Sequence, residues 1–198
     1  MELNEYELVS GVGSKDFTDF ITNEIFYNWN WIFSSDEKKF ENRHRKEEED
    51  RIISDSGALI KSFDDKKTWD ENNNNFKLNC FGDYIYQSIL KKTKWEYKDT
   101  SLVRYYWNYY NVGSSGVFHT DIYEHNIING QTHASILYNF SNDGGTIINE
   151  GGEIFIPSVS EEAIIFNSLA LHRGVGPSKS KQRFALNIVF TYSERTLR

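Results

Sequence analysis

The sequence has one cysteine, Cys80, among 198 residues. A single cysteine excludes an intrachain disulfide and favours a reducing compartment. The sequence also lacks long apolar runs, since no segment approaches the roughly 18 consecutive apolar residues of a membrane-spanning helix. Its first residues, MELNEYELVSGVG, have neither the basic region nor the apolar region of a signal peptide. These absences predict a cytoplasmic protein with no membrane partner.

Positive charge is also scarce. The chain has 22 Lys and Arg against 29 Asp and Glu, which gives a net charge of -7 and a pI near 5.3. Because nucleic-acid-binding proteins usually concentrate positive charge, we expect no nucleic-acid partner. Hydrophobic residues make up 38% and aromatics 16%, enough for a core despite a mean hydropathy of -0.62. We expect a single domain over residues 1–198, as a monomer or homodimer.

Residues 1–100 are predicted to form a mostly helical elaboration. Ser14 is a suitable N-cap for a helix over residues 15–27. The apolar stripe of this helix is predicted to consist of Phe17, Phe20, Ile21 and Ile25. Residues 29–33 suggest a short strand after it.

The rest of this half alternates polar and amphipathic segments. ENNNNF, Glu71–Phe76, is a loop by composition, and Phe81, Ile85 and Ile89 predict a second helix over residues 81–92. Glu37–Arg51 mixes both signs of charge and favours a solvated face, although its basic part, Arg43–Lys46, could contact an anionic substrate.

From residue 101 onward, short strands alternate with turns rich in Gly, Asn and Asp. The predicted strands are LVRYYWNYYN, VFHTDI, HASILYNF, GEIFIP, EAIIF and RFALNIVFTY. Strands at this spacing, after helices that can cover one sheet, predict an α+β, mainly β fold with a jelly-roll or cupin-like core over residues 101–198.

Three side chains in this half suit a metal. His119 and Asp121 are two residues apart, so in a strand they point the same way. Alone the pair is a weak signal, but His172 follows a buried-looking run, where a strand would return toward the pair. Two histidines and one carboxylate form the facial arrangement of non-haem Fe(II), and zinc could use the same ligands.

Arg183 follows His172 with ten residues between them and opens the last long strand. A guanidinium is always charged and can bind a carboxylate through two parallel hydrogen bonds. A metal triad that is followed along the sequence by an arginine suits a dicarboxylate co-substrate, which binds the metal at one end and the arginine at the other.

The residues from Val103 to Tyr192 resemble the Fe(II)/2-oxoglutarate-dependent oxygenases, in particular their prolyl-4-hydroxylase-like branch. The resemblance lies in the ordered motifs YNVGSSGVFHTD, ILYNFSND, GGEIFIP and FNSLALHRGVGPSKSKQRFALNIVF. It implies a double-stranded β-helix, with His119, Asp121 and His172 as catalytic iron ligands. It further implies that Arg183 and the Tyr110 hydroxyl bind the distal carboxylate of 2-oxoglutarate. Two departures, Ile154 after GGE and arginine in place of the branch's common lysine, place prolyl specificity in doubt.

Strand alternation extends this pocket. If Tyr110 faces it, so do Asn108, Tyr106 and Arg104. Asn187 lies on the same face of its strand as Arg183, so it is predicted to contribute to co-substrate binding. We expect Arg104, Asn108 and His125 to be candidate substrate contacts. For Arg104 and Asn108 the alternative is that they form structural hydrogen bonds inside the roll. For His125 and His133, packed or exposed positions without a ligand role are favoured.

The resemblance implies a hydroxylase that uses Fe(II), O2 and 2-oxoglutarate and releases succinate and CO2, with ascorbate as a stimulant. Asp121 favours hydroxylation over halogenation, because halogenating relatives have a small residue in place of that carboxylate. A small molecule or free amino acid is favoured over a peptide as the unidentified substrate. Two alternatives stay open: a cupin-like zinc hydrolase or isomerase, and a non-catalytic β-roll binding module.

Overall fold

Two antiparallel sheets pack against each other in the computed structural model, which describes residues 6–28, 32–33, 56–62, 73–122 and 131–198. The elements, in chain order, are β1 (Glu7–Val9), α1 (Lys15–Asn28), β2 (Ile32–Phe33), β3 (Ser56–Ser62), α2 (Asn73–Lys92), β4 (Trp95–Lys98), β5 (Ser101–Asn111), β6 (Thr132–Asn139), β7 (Gly145–Asn149), β8 (Glu153–Pro157), β9 (Ala163–Asn167), β10 (Leu171–Val175), β11 (Gln182–Tyr192) and β12 (Glu194–Leu197).

The larger sheet has the order β1-β9-β6-β11-β5-β3-β2, and the smaller one has the order β10-β7-β8. β11 is central, since it pairs with β5 on one side and β6 on the other. β12 and β4 form a separate two-stranded ribbon. The first hundred residues therefore supply strands as well as helices, because β1 and β3 pair directly with strands of the C-terminal half.

Five predicted strands are confirmed as β5, β6, β8, β9 and β11. The predicted strand VFHTDI is wrong as a regular strand, because two isolated bridges, Ser115 to Val175 and His119 to His172, join this stretch to β10. At Asp121 the chain leaves β10, and the Asp121 amide donates instead to the carbonyl of Ser168, between β9 and β10. The segment thus crosses the mouth of the roll rather than following one strand.

Both helices pack on the outer face of the larger sheet. The side chains of Ile21, Ile85 and Ile89 are fully buried against β5, β6 and β11 residues. The Ser14 hydroxyl accepts the Phe17 amide at 3.2 Å, which confirms the N-cap of α1. No helix among the described residues has the length and apolarity needed to cross a bilayer.

The sequence prediction for α1 is wrong at Phe20, which is 52% exposed. At 100° per residue, Phe20 lies at the edge of the stripe centred on Thr18 and Ile21, which are both buried. Phe20 instead packs edge-on against Phe81 of α2, with 5.9 Å between ring centroids.

The predicted loop over Glu71–Phe76 is also wrong, because α2 begins at Asn73. Asparagine costs less than about 0.7 kcal/mol per residue relative to alanine in a helix. Burial of the downstream isoleucines outweighs this cost, so the helix extends back through the asparagine run.

The space between the two sheets holds a second core. Leu137, Ile164 and Ala185 of the larger sheet contact Ile148 and Ile156 of the smaller one. Phe184, Leu186, Ile188 and Phe190 belong to the other core, under the helices. The alternation predicted for β11 is therefore confirmed.

The segment Glu37–Arg51 with His44, the tryptophans Trp29 and Trp31, and His125 lie outside the described residues. The strand expected near residue 30 is confirmed where it is described, as β2.

Candidate metal and co-substrate site

His119, Asp121 and His172 converge at one end of the roll. One ligand atom from each lies within 4.8 Å of the others. His172 is on β10, and the other two residues come from the segment that crosses the mouth. Reciprocal backbone hydrogen bonds of 2.9 Å between His119 and His172 fix the two histidines side by side.

Each histidine has its Nδ1 atom against a backbone carbonyl. Nδ1 of His119 lies 2.9 Å from the carbonyl oxygen of Val117, and Nδ1 of His172 lies 2.9 Å from that of Ala170. A ring nitrogen so placed carries the proton and donates it, which leaves Nε2 as the lone-pair nitrogen. In both rings Nε2 is therefore the nitrogen available to a metal, and Nε2 of His172 lies 3.7 Å from Oδ2 of Asp121.

Asp121 is buried and receives three side-chain donors. Arg104 donates to its Oδ1 at 2.9 Å, while Ser135 at 2.5 Å and Asn187 at 3.0 Å donate to its Oδ2. The Ser135 hydroxyl also lies 2.8 Å from that of Ser168. The carboxylate is consequently held in one orientation by partners on three different strands and a turn.

The electrostatics favour deprotonated ligands. Burial alone would raise the pKa of Asp121, but the charges of His172, Arg104 and His119 and the Ser135 hydrogen bond hold that pKa well below its usual range. Although His119 has an exposed edge, burial of its ring and the neighbouring His172 lower its pKa to about 4. At neutral pH the site offers a carboxylate and the neutral imidazole of His119.

Arg183 lies deeper in the roll and is fully buried. Its guanidinium donates to the carbonyl of Gly145 at 2.6 Å and to the side chains of Asn139 at 3.0 Å and Thr146 at 3.2 Å. Within the described ranges no carboxylate pairs with it, and its Nε has no hydrogen-bond partner. A buried cation without a counter-ion is a site for an anion.

Tyr110 lies beside Arg183, whose guanidinium carbon is 5.1 Å from the Tyr110 ring centroid. Burial raises the pKa of Tyr110, so its hydroxyl stays protonated and can donate. A Cβ atom at position 174 would lie 2.3 Å from this hydroxyl, so Gly174 leaves the space that the tyrosine occupies.

No protein-family model and no curated protein matches the sequence, but its fold matches solved structures over nearly its whole length. One is a viral collagen prolyl hydroxylase from Paramecium bursaria Chlorella virus-1 in complex with 2-oxoglutarate, which is 14% identical, with a TM-score of 0.52 over 94% of this chain and 96% of that one. Another is HygX from Streptomyces hygroscopicus with nickel and 2-oxoglutarate, which is 8% identical, with a TM-score of 0.59 over 95% and 83% of the two chains.

A third is SnoN, a non-haem α-ketoglutarate-dependent epimerase from nogalamycin biosynthesis. It is 8% identical and has a TM-score of 0.59 over 98% of this chain and 80% of that one. These structures share one architecture. The chain has the double-stranded β-helix fold of the Fe(II)/2-oxoglutarate-dependent oxygenases. The predicted fold class is thereby confirmed.

The structure also places the other residues that were predicted from the sequence as parts of the site. Asp121 has Arg104 and Asn187 as partners, so the Asn187 amide lies at the triad rather than at Arg183. Asn108 is half-buried on the inward face of β5, and His133 is half-buried on β6.

Sequence reasoning missed the inward polar positions of β6. Ser135 contacts Asp121 and Asn139 contacts Arg183, and the inward Leu137 lies between them. The available signal was a serine and an asparagine at alternate positions in the apolar run HASILYNF. In an oxygenase fold such positions line the site.

Proposed function

We propose that this protein is an Fe(II)/2-oxoglutarate-dependent dioxygenase that hydroxylates a small molecule. One observation carries the proposal: a His-Asp-His group lies on the same face of β11 as a buried arginine that lacks a carboxylate partner in the described part of the chain. The first group suits a metal and the second suits an anion.

The donor set fits ferrous iron. His119, Asp121 and His172 offer two imidazoles and one carboxylate and leave other coordination positions to co-substrate and O2. The hydrogen bonds to the Nδ1 atoms and to Asp121 orient these ligands. Iron with 2-oxoglutarate and O2 would supply the oxidation, coupled to release of succinate and CO2, with ascorbate as a stimulant.

The site also fits a dicarboxylate. Arg183 donates to the carbonyl of Val175, and Val175 lies three residues along β10 from His172, about 10 Å away. A five-carbon diacid would then bind the metal at one end and Arg183 at the other. Arg183 and Tyr110 would hold its distal carboxylate, and the protonated hydroxyl of Tyr110 adds a neutral donor.

The protein's own residues would also orient the primary substrate. Arg104 and Asn108 lie on the inward face of β5, beside the triad, where a substrate must approach. His125, four residues after Asp121 in the sequence, is proposed as a further contact. Hydroxylation is proposed because Asp121 retains the carboxylate of hydroxylating relatives and the ordered motifs resemble the prolyl-hydroxylase-like branch.

The test is succinate formation from 2-oxoglutarate by purified protein. We expect release that requires added Fe(II) and O2, rises with a substrate from a small-molecule panel, and is lost in Asp121→Ala. Glu194→Gln, an exposed change on β12, is the control and should retain full activity. Turnover that persists without O2 would instead support the zinc hydrolase or isomerase, and a wild-type protein that takes up no metal would support the binding module.

A further inference from the structure

Arg104 is a cation directly beside the proposed metal ligand. Its guanidinium lies 2.9 Å from Asp121 and 4.3 Å from the centroid of the Tyr106 ring. The side chain is 20% exposed, and Nε has no hydrogen-bond partner. The aromatic ring and the carboxylate fix the guanidinium at the pocket wall, with donor capacity unused.

The charged side chains that the described strands place at the site do not balance. Among the inward-facing positions of the described strands the charged side chains are Arg104 and Arg183, and Asp121 is the acid beside them. A divalent metal and the 2-oxoglutarate dianion cancel each other. Two arginines against one carboxylate then leave a single positive charge in a site that is largely shielded from water.

The location of this residual charge follows from the contacts. In the loaded site, Arg183 would face the co-substrate and Asp121 would share its negative charge with the metal. Arg104 then loses much of its neutralising partner. Because a poorly compensated charge in a low-dielectric site is costly, a negative group on the substrate is favoured there.

We propose that Arg104 binds a carboxylate of the primary substrate. A monoanion matches the single residual charge, whereas a phosphate monoester would bring nearly two negative charges. Arg104 therefore selects carboxylic acids over their neutral analogues. This inference rests on the proposed function, and it adds a substrate class to it.

A matched pair of probes tests the charge without knowledge of the substrate. Protein saturated with Ni(II) and 2-oxoglutarate is titrated with acetate and with acetamide, which have similar shape and different charge, by ligand-observed NMR. We expect acetate to bind about tenfold to a hundredfold more tightly than acetamide, the range for a charge-assisted hydrogen bond. This preference is expected to vanish in Arg104→Gln and to survive in part in Arg104→Lys.

Two control variants separate this role from general effects. Arg173 is also a partly buried arginine stacked on an aromatic ring, that of Phe118 at 4.7 Å, but on β10 it alternates away from His172. Arg173→Gln should keep the acetate preference. Glu194→Gln changes the net charge by one unit at an exposed position on β12, so it should keep the preference as well.

The enzymatic arm compares carboxylic acids with their primary amides in the succinate-release assay. A substrate found among the acids should lose about tenfold to a hundredfold in kcat/KM in Arg104→Gln. Equal binding of acetate and acetamide, an acetate preference that persists in Arg104→Gln, or a neutral substrate would overturn the inference. If wild-type protein takes up neither nickel nor 2-oxoglutarate, the proposed function itself fails, which is a separate result.

Discussion

Ser135 shows how one hydroxyl can determine the quality of a metal site. It is completely buried and donates to Asp121 at 2.5 Å while in contact with Ser168. Its neighbours Asn187 and Arg104 hold the same carboxylate, so the orientation of Asp121 depends on all three donors. Loss of a group that orients a metal ligand in this way typically lowers metal affinity by about 10-fold to 100-fold.

We therefore expect Ser135→Ala to weaken Ni(II) binding by about 10-fold to 100-fold, measured by isothermal calorimetry. Ser158 provides the matched control, because it is a buried serine whose hydroxyl donates to the carbonyl of Ser141, outside the site. Ser158→Ala should bind nickel as tightly as the wild type. Equal nickel affinity in the Ser135 variant would show that the hydroxyl does not orient Asp121.

Gly174 controls the other end of the pocket. A Cβ atom there would lie 2.3 Å from the hydroxyl oxygen of Tyr110, which is too close for both to keep their positions. We expect Gly174→Ala to displace Tyr110 and weaken 2-oxoglutarate binding about tenfold, by loss of roughly one hydrogen bond to a charged group. Nickel affinity should stay near the wild-type value.

The control for this change is Gly152→Ala, since a Cβ atom at position 152 meets no atom within 4 Å. Titration of the nickel-loaded proteins with 2-oxoglutarate gives the comparison. If the two alanine variants bind 2-oxoglutarate alike, Gly174 has no role in placing Tyr110.

At the scale of elements, the segment between β10 and β11 is organised by one carboxylate. Asp143 accepts backbone N–H bonds from Ser178 at 3.1 Å and from Lys179 and Ser180 at 2.6 Å each. These bonds hold the pKa of Asp143 well below its ordinary value, since they favour the ionised form. The segment leads directly into Arg183, so its shape bears on the co-substrate pocket.

A group with a lowered folded-state pKa stabilises the fold above its unfolded pKa, near 3.9, and loses that contribution as the pH falls toward the folded value. We expect Asp143→Asn to be less stable than the wild type at pH 7. The difference should shrink as the pH is lowered below about 4, because the carboxylate then binds a proton in the unfolded chain while it stays ionised in the folded protein. Urea unfolding at pH 7, 5, 4 and 3 measures it.

Asp19 on α1 is the control for this series. It is exposed and pairs with Lys15, so Asp19→Asn leaves the bonds of Asp143 intact. That variant should show the same acid dependence as the wild type. A difference between Asp143→Asn and wild type that stays constant from pH 7 to pH 3 would contradict the assigned role.

How far the elements could be predicted depends on their length and pattern. β5 and β11 are 11 residues each and rich in β-branched and aromatic side chains, so their existence and alternation were evident. β7 and β10 each contain a glycine, which strands disfavour, and they pair with each other across distant sequence, so local pattern did not reveal them. α2 extends through asparagines because tertiary burial outweighs propensity.

The site was predicted where ordered spacing carries information and missed where only the fold does. His119, Asp121 and His172 converge as expected, although the first two do not lie on a regular strand. Ser135 and Asn139 enter the site because β6 faces it, and their polar side chains in an apolar run mark them as unusual without indicating which residues they contact. The role of each site residue stays a prediction, as does the single domain over residues 1–198 with an elaboration over residues 1–100 and a core over residues 101–198.

At the scale of the whole molecule, the two candidate binding features lie on the same face of β11, since Asn187 contacts Asp121 and Arg183 lies on that face of the strand as well, so their ligands should bind in a linked order. Arg183 is a buried cation that has hydrogen bonds to neutral groups but no carboxylate partner within the described residues, and a bound dianion would offset the remaining cost of its burial. A ligand that binds the folded state alone stabilises it by about 2.7 kcal/mol at a hundred times its Kd. Nickel should therefore raise Tm, and 2-oxoglutarate should raise it further only when nickel is present.

The variants separate the two contributions. Asp121→Ala should lose both increments of Tm, because the co-substrate needs the metal at one end. Arg183→Lys, which keeps the charge but removes the fork-shaped donor, should keep the nickel increment and lose most of the second one. Thermal unfolding followed by circular dichroism measures both. A Tm increment from 2-oxoglutarate that is the same with and without nickel would mean that the two ligands bind independently, and the triad and Arg183 would then belong to separate sites.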